Sequence, residues 1–225
     1  ISDGDGESEP LKVTATSDNF ALIGNVDVAI GSSSYGDPIQ FVAGTTTHGV
    51  TTGDFDGDGN LDTAVGNQHS GSATIVFGDG LGGFSQPVSV GMGTQPYDVV
   101  AGDFDADGYD DLVASNFENN LITIRRGSAD RSFSGSQSYA TGDGPSAYTW
   151  TGAWELETAD FNNDGKLDIV VGNQRHDLVS VLLGNGSGGF GEPIKSETLG
   201  VGGYSGSLYG FAVGDFDQDG NTDIA

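Results

Sequence analysis

The sequence predicts an all-β fold, a β-propeller whose blades are four-stranded antiparallel sheets. Two observations predict it: an acidic motif that recurs at a near-constant interval, and short apolar segments that fill the intervals. The motif reads GDFDGDGNLDTAVGN from Gly53 and GDFDADGYDDLVASN from Gly102, and two further copies, ADFNNDGKLDIVVGN and GDFDQDGNTDIA, begin at Ala159 and Gly214. The first aspartates of the four copies are spaced by 49, 57 and 55 residues. Periods of this size are typical of stacked or radially arranged supersecondary units.

The segments between the motifs read as short strands. The first motif ends in TAVGN and is followed by SATIVFGDG, FSQPVSVG and PYDVVAGDF before the next copy. Each segment is rich in Val, Ile, Phe and Tyr and is bounded by Gly, Asn, Asp or Pro, as strands are. Nothing sustains a helical period over ~11 residues. About four strands per ~50 residues is the pattern of a propeller blade.

The same register divides the chain into three full repeats and two partial blades. Residues 37–59 align without a gap on residues 86–108, so the pattern extends upstream of the first motif. If the partial blades pair, they close a four-bladed ring. Otherwise the chain is a segment of a larger propeller with open edges that need a partner, and we favour the segment because the last motif stops within its apolar run. The predicted units are an N-terminal strand or linker that weakly resembles an immunoglobulin- or cadherin-like repeat (1–20), a partial blade (21–44), three blades (about 45–93, 94–142 and 143–202) and a second partial blade (203–225).

The charge of the chain argues against several classes of partner. It has 33 acidic and seven basic residues, a net charge of −26, whereas nucleic acid and anionic lipid both call for a basic surface. There is no cysteine, so neither disulfides nor thiol chemistry is available. No apolar run approaches the ~20 residues that span a bilayer. The opening ISDGDGESEP is not a signal peptide, so if the protein is exported, this chain is a mature piece or an excised region.

The motif crowds carboxylates that repel one another, by roughly 4 kcal/mol for a pair about 4 Å apart near a protein surface. In the first copy Asp54, Asp56, Asp58 and Asp62 occupy positions 1, 3, 5 and 9. Alternate acids in a tight loop can point at one centre, the glycine at position 6 permits the turn, and the backbone carbonyl at position 7 can face the same point. Such a set suits Ca²⁺, which takes about six to eight oxygens. Mg²⁺ is a poorer match, and zinc is disfavoured because no His or Cys holds a ligand position.

An EF-hand or dockerin loop opens in a similar way but differs at position 12. EF-hands place a bidentate Glu there, inside a helix. In the three loops that reach position 12 the residues are Val65, Ala114 and Val171. The residues after position 9 form an apolar run, as in a strand buried on both faces. The motif is therefore a loop between two strands, and the aspartate at position 9 is its closing ligand.

The segments LYGFAVGDFDQDGNTDIA and VSVLLGNGSGGF resemble FG-GAP/VCBS repeats, the calcium-loop blades of integrin α-subunit propellers and of many secreted bacterial proteins and lectins. The resemblance extends over about residues 24–225 and implies up to four Ca²⁺ sites, loops 1 to 4 in chain order. The implied side-chain ligands are Asp54, Asp56, Asp58 and Asp62 in loop 1; Asp103, Asp105, Asp107 and Asp111 in loop 2; Asp160, Asn162, Asp164 and Asp168 in loop 3; and Asp215, Asp217, Asp219 and Asp223 in loop 4. The implied carbonyl ligands are Asn60, Tyr109, Lys166 and Asn221. Because Asn162 removes one charge, we expect weaker binding in loop 3.

Two other signals look like chemistry and have simpler interpretations. GDGLGG from Gly78 and GNGSGG from Gly184 fit a dinucleotide-binding pattern, but a dinucleotide site needs a helix to follow, and here Phe and Pro follow. Both are expected to be hairpin turns. The three histidines, His48, His69 and His176, have no visible nucleophile partner and are expected to be structural or exposed to solvent.

One insertion carries the candidate ligand-binding residues. The second interval is the longest, and its extra length falls around residues 142–155, GDGPSAYTWTGAWE. This stretch holds both tryptophans of the chain, Trp150 and Trp154, together with Tyr148. Exposed aromatic rings on a loop suit stacking on sugars or anchoring a protein partner. The alternative is that these rings pack over the blade edge or cover the propeller face.

We expect a non-catalytic, calcium-stabilised propeller module of a secreted or cell-surface protein, acting in adhesion or in glycan or protein binding. The absence of cysteine, the scarcity of basic residues and loops suited to millimolar calcium favour an extracellular, bacterial setting. Two alternatives stay open. The chain could be an accessory or catalytic region of a secreted polysaccharide-degrading enzyme, or a structural subunit that self-assembles through open blade edges.

Overall fold

The computed structural model describes residues 39–142, 152–173, 178–197 and 210–225. The predicted N-terminal unit (1–20) and nearly all of the first partial blade (21–44) lie outside these residues. Within them the chain forms three successive four-stranded sheets and a further strand pair, all antiparallel, with neighbouring strands in chain order. No helix among the described residues has the length and apolar character needed to cross a membrane.

The strands confirm the predicted all-β fold of four-stranded antiparallel blades. The first sheet contains β1 (Thr47–Gly53), β2 (Asp62–Asn67), β3 (Ser72–Val76) and β4 (Val88–Gly91), with a 3-10 turn at Gln68–Ser70. The second contains β5 (Pro96–Gly102), β6 (Asp111–Asn116), β7 (Leu121–Arg126) and β8 (Ser134–Ala140). The third contains β9 (Ala153–Ala159), β10 (Asp168–Asn173), β11 (Leu178–Leu182) and β12 (Ile194–Glu197), and the last pair is β13 (Val213–Gly214) with β14 (Asp223–Ile224).

The sheets pack face to face in chain order. The first strands of successive sheets lie beside one another, since β1 contacts β5 and β5 contacts β9. The apolar runs that follow the acidic motifs become the second strands, and every residue of β6 and β10 is buried. These strands are therefore covered on both faces, as their unbroken apolar sequence predicts.

Two hydrophobic clusters fill the spaces between the sheets. The first joins Phe55 and Ile75 of the first sheet to Leu112 of the second, and the next cluster joins Val113 to Ile169 of the third. Adjacent residues of β6 thus face opposite clusters, as alternation along a strand requires. Burial of a large apolar side chain contributes about 1.5–3 kcal/mol, so each sheet depends on its neighbours for stability.

The glycine-rich segments are hairpin turns, as predicted. Isolated bridges pair Gly78 with Phe84 and Gly184 with Phe190, at the connections from β3 to β4 and from β11 to β12. Two of the histidines are described, and both take structural roles: His48 stacks on Tyr97, and His69 Nδ1 makes a short hydrogen bond to the Thr46 hydroxyl. His176 lies outside the described residues.

The prediction that Trp154 lies on a loop is wrong. It is the second residue of β9, it is half-buried, and its ring centroid lies 3.8 Å from that of Tyr97. His48, Tyr97 and Trp154 are the second residues of β1, β5 and β9, and they form one stack, with 4.2 Å between His48 and Tyr97. Trp154 therefore packs against the neighbouring sheet. Tyr148 and Trp150 lie outside the described residues.

Candidate functional site

The four acidic loops connect the first and second strands of their sheets and share one backbone turn. The position-6 glycine of each loop has a left-handed backbone, with φ of +85°, +91°, +80° and +90° in loops 1 to 4. Its N–H donates to Oδ2 of the position-1 aspartate at 2.8, 3.0, 2.7 and 3.1 Å. Left-handed backbone favours glycine because there is no Cβ. The glycine predicted to permit the turn does so in all four loops.

Two further N–H groups of each loop bind the loop's own side chains. The position-5 N–H donates to the side chain at position 1 or position 3, at 2.9 to 3.1 Å. The position-7 N–H donates to Oδ1 at position 5, at 2.8 to 3.0 Å. These bonds turn alternate acids toward the inside of the loop, which is the arrangement a polydentate oxygen site needs. The carbonyl ligands at position 7 stay a prediction.

Position 4 is a second left-handed position, which sequence reasoning missed. The values of φ are +71° at Gly57, +59° at Ala106, +59° at Asn163 and +63° at Gln218. Because only one of these residues is glycine, residue type gave no signal. Gly57 has a second reason to be glycine, since a Cβ there would lie 2.6 Å from Cε1 of Tyr109 in loop 2.

Three loops bring acidic oxygens to one point. One oxygen from each of three acids lies within 4.8 Å of the others in Asp54, Asp56 and Asp58; in Asp103, Asp105 and Asp111; and in Asp215, Asp217 and Asp223. Oδ1 of Asp54 and Oδ1 of Asp105 are buried and have no hydrogen-bond partner among the described residues. A buried carboxylate oxygen without a donor is costly, and a cation would supply its partner. The residues present therefore fit a hard divalent cation such as Ca²⁺.

The closing aspartates at position 9 also hold the backbone together. In loops 1 to 3 they are fully buried, and Oδ2 accepts the N–H of the position-2 phenylalanine at 2.9, 3.2 and 2.9 Å. Oδ1 accepts the N–H of the glycine that starts the hairpin after the third strand, at 2.9, 3.1 and 2.8 Å. Burial, and then the charge of Asp105, raises the pKa of Asp111 to about 7. A position-9 aspartate thus joins its loop to the rest of its sheet, at an electrostatic cost that a cation would offset.

Loop 3 carries less negative charge than the other loops. Position 3 is Asn162, and the ammonium of Lys166 lies 3.0 Å from Oδ2 of Asp164. This hydrogen bond lowers the pKa of Asp164. Residues 160–168 are all described, and they contain no cluster of three converging acids. The expectation of weaker cation binding in loop 3 has this structural support and stays a prediction.

Two arginines outside the motif reach the position-3 aspartates, and sequence reasoning missed both. Arg131 Nε lies 2.6 Å from Oδ2 of Asp56, and Arg126 Nε lies 3.1 Å from Oδ2 of Asp105. Arg131 belongs to the hairpin between β7 and β8, so its contact with Asp56 joins the second sheet to the first. Loops 1 and 2 also touch directly, because Oδ2 of Asp110 accepts the N–H of Asp54 at 2.9 Å. The acidic loops are thus part of the contact between sheets.

The opposite ends of the first strands hold a second group of acids. Oδ2 of Asp98 accepts the N–H of Leu156 at 2.9 Å, which joins β5 to β9, and burial raises the pKa of Asp98 to about 6. Burial, and then the charge of Asp98, also raises the pKa of Glu155. Oε2 of Glu155 is buried and has no hydrogen-bond partner within the described part of the chain.

Comparison with protein families gives a match along most of the chain. Three consecutive segments, residues 54–114, 103–171 and 160–225, match the model of the FG-GAP-like repeat. This chain belongs to the FG-GAP-like repeat family. The family resemblance that the acidic motifs indicated is therefore confirmed. Each FG-GAP-like match begins at the first aspartate of one loop and includes the next loop. A comparison with curated protein sequences gives no significant match.

The fold of this FG-GAP-like protein is similar to solved structures that are larger. One is a lectin from Agrocybe aegerita that specifically recognises non-reducing terminal N-acetylglucosamine, at 19% identity and a TM-score of 0.56, over 80% of this chain and 47% of the lectin. Another is rhamnogalacturonan lyase YesW, at 14% identity and a TM-score of 0.51, over 81% of this chain and 41% of the lyase. The chain spans less than half the length of either. At these identities the similarity concerns the fold.

Proposed function

We propose that this chain is a non-catalytic, calcium-stabilised propeller module of an extracellular protein, and that it binds a glycan or protein ligand. The observation that carries the calcium part is the repeated loop. Four loops share one hydrogen-bonded turn, and in loops 1 and 2 a buried carboxylate oxygen, Oδ1 of Asp54 and of Asp105, is left without a partner among the described residues. The candidate ligands are the sixteen position-1, -3, -5 and -9 side chains predicted from the sequence.

Calcium in these loops would stabilise the sheets rather than act on a substrate. It would neutralise carboxylates at the contact between neighbouring sheets, where the backbone N–H of Asp54 in loop 1 donates to Oδ2 of Asp110 in loop 2. A site held at about 100 times its dissociation constant adds about 2.7 kcal/mol to the free energy of unfolding. The cation would therefore act through several loops at once.

Thermal unfolding with calcium and with a chelator tests this proposal. For a chain of this size about 1 kcal/mol corresponds to roughly 2–4 °C, so removing calcium from two sites should lower the melting temperature by about 10–20 °C. Magnesium at equal ionic strength is the control and should restore much less. An identical melting curve in chelator and in calcium would contradict the proposal.

The binding part of the proposal is supported by the fold and by the aromatic insertion. The fold is similar to that of a lectin, and the sequence places Tyr148 and Trp150 together in the longest interval. A glycan array probed in calcium and in chelator is the test, and we expect binding that Trp150→Ala abolishes. Trp154→Ala is not a clean test, since Trp154 packs on Tyr97. Glycan binding that survives Trp150→Ala would remove this insertion as the binding loop.

A second candidate function, in polysaccharide degradation, is favoured by one cluster. Asp98, whose pKa burial raises to about 6, lies beside Glu155, and a pKa near neutrality suits proton transfer. The similarity in fold to a rhamnogalacturonan lyase points to the same class of substrate. Release of new chain ends from a polysaccharide panel, lost in Asp98→Asn, would support this candidate. No release from any polysaccharide would leave the non-catalytic proposal in place.

A further inference from the structure

Arg131 stands in a backbone conformation that disfavours it. It has φ of +62° in the hairpin between β7 and β8, whereas the corresponding hairpins of the first and third sheets have Gly82 and Gly188 at this point, with φ of +91° and +72°. Left-handed backbone is available to glycine without steric cost and is unfavourable for a side chain with a Cβ. The second sheet thus keeps an arginine where the local conformation favours glycine.

The contacts of the Arg131 side chain explain why an arginine is kept at this left-handed position. Its Nε lies 2.6 Å from Oδ2 of Asp56, and its Nη2 lies 3.7 Å from Oδ2 of Asp58. The guanidinium carbon also lies 4.9 Å from the centre of the Phe77 ring, which suits a cation–π contact. The side chain of Asp56 is only 4% exposed, so this pair is well shielded from solvent on the acidic side. A cation of the second sheet is therefore held against two acids of loop 1 in the first sheet.

The hairpin that carries Arg131 is itself braced. The N–H of Arg131 donates to the carbonyl of Ser128 at 2.9 Å, and the Ser128 hydroxyl donates to Oδ1 of Asp130 at 2.8 Å. The N–H of Ser132 donates to the same oxygen of Asp130 at 3.1 Å. These bonds fix the direction from which the guanidinium approaches loop 1, so little conformational freedom is lost when the ion pair forms.

We propose that Arg131 is a built-in counter-ion of loop 1, which holds this loop against the second sheet and lowers its affinity for calcium. The inference rests on the proposed calcium function. The guanidinium offsets the repulsion between Asp56 and Asp58 that calcium would otherwise offset, so calcium gains less by binding. It also repels any cation held by the same carboxylates. Arg131 is thus a residue that tunes affinity, and it is not a ligand.

Loop 2 has a comparable contact, and loop 3 lacks one among the described residues. In loop 2, position 3 is Asp105, and Arg126 pairs with it. In loop 3, position 3 is the neutral Asn162, and Leu183 stands at the sequence position that corresponds to Arg126. An arginine thus reaches the position-3 acid in loops 1 and 2, from a different place in the hairpin in each case.

Replacing Arg131 should strengthen calcium binding by loop 1 and should weaken the contact between sheets in the calcium-free protein. Competition with a chromophoric chelator gives the stepwise calcium dissociation constants, and in Arg131→Gly we expect one of them to fall about three- to tenfold while the others stay. Arg131→Asn, which also tolerates left-handed backbone, should repeat this effect on calcium binding. In excess chelator Arg131→Ala, which loses the contact between sheets and keeps a Cβ at this left-handed position, should melt about 2–4 °C lower than the unsubstituted protein.

Arg125→Gln is the matched control. It removes the same charge from the neighbouring position of β7, where Arg125 Nε donates to the carbonyl of Gly91 at 2.8 Å and no ion pair with a loop acid occurs among the described residues. It should leave the calcium constants unchanged. Unchanged or weaker calcium binding in both Arg131→Gly and Arg131→Asn would overturn the inference while the proposed function stands. If the unsubstituted protein binds no calcium, the proposed function fails, and Arg131 cannot tune calcium affinity. The melting temperatures in chelator then still decide whether Arg131 holds loop 1 against the second sheet.

Discussion

The first strands of the sheets meet acidic residues at both ends, and the two ends accommodate the charge differently. At the ends of these strands three of the four loops bring carboxylates to one centre, and in loops 1 and 2 Asp54 and Asp105 keep a buried oxygen without a partner among the described residues. At the start of β5 and β9, Asp98 and Glu155 follow the stacked residues Tyr97 and Trp154 in the chain, and no basic side chain of the described residues pairs with either acid.

The difference lies in how each end can lower its electrostatic energy. A loop that gathers several oxygens around one point can take up a divalent cation. A buried single carboxylate that has only backbone donors can lower its electrostatic energy further by binding a proton, and burial raises the pKa of Asp98 to about 6. One end of the strands should therefore respond to calcium and the other to pH.

The largest effect should come from a closing aspartate, and it should not require calcium. Asp168→Ala leaves the part-buried N–H of Phe161 and the buried N–H of Gly184 without their acceptor. Each unsatisfied buried donor costs about 1–3 kcal/mol, so we expect a loss of about 3–5 kcal/mol in the free energy of unfolding, measured by denaturant titration in chelator. Asp164→Ala, in the same loop but exposed, is the control and should cost little under these conditions. Equal losses in the two variants would mean that the charge of Asp168, and not its hydrogen bonds to the backbone, stabilises loop 3.

The other end of the strands should show the pH dependence. The pKa of Asp98 is raised from 3.8 to about 6 in the folded protein, so its contribution to stability is fully present below pH 3.8 and is lost as the pH rises through about 6. The full loss is about 3 kcal/mol, of which about 1 kcal/mol falls between pH 5 and 7. Urea titrations in chelator at both pH values measure it.

Asp98→Asn isolates this contribution from the groups around it. Glu155, Glu157 and Tyr97 interact electrostatically with Asp98 and are present in both proteins, so the difference between the two pH dependences belongs to Asp98. The variant should lose about 1 kcal/mol less than the unsubstituted protein between pH 5 and 7. Parallel pH dependences would mean that Asp98 remains charged at neutral pH without penalty.

The acidic loops could largely be predicted from the sequence, because the hydrogen bonds that close them join residues close together in the chain. Each loop is closed by hydrogen bonds between residues two to seven positions apart, such as Gly59 to Asp54 and Phe55 to Asp62. A motif that recurs four times therefore fixes the position-1 acid, the glycine and the closing aspartate together. The strands follow for the same reason, since hairpins join neighbours in the chain.

The contacts between sheets could not be predicted, because they join residues far apart in sequence. Arg131 and Asp56 are 75 residues apart, and Asp98 and Leu156 are 58 apart. Nothing local marks either pair. The placement of Trp154 failed for a related reason: the extra length of the interval was assigned to a loop that included it, while β9 begins at Ala153 and its register matches Trp154 with Tyr97 and His48.

Exchanging the charge at position 3 sharpens the comparison among the loops themselves. Asn162→Asp should tighten calcium binding at loop 3 about tenfold, since a carboxylate ligand replaces a neutral amide. Asn163→Asp is the matched control: it adds the same charge one residue later, at the left-handed position 4, where the acid is not a predicted ligand. Calorimetric titration of both variants is the measurement. If Asn163→Asp tightens binding as much as Asn162→Asp, charge near the loop matters and ligand position does not.

The smallest effect should separate the shape of the loop from its charge. Gly108 has φ of +91°, and no atom lies within 4 Å of where its Cβ would stand, so a side chain there meets a conformational cost and no steric one. Gly108→Ala should cost about 1 kcal/mol, and Gly108→Asn less, because asparagine tolerates left-handed backbone. Neither substitution changes the charge of loop 2. Both should therefore lower stability in chelator as well as in calcium, whereas a loss confined to calcium would mean that the turn forms only around the cation.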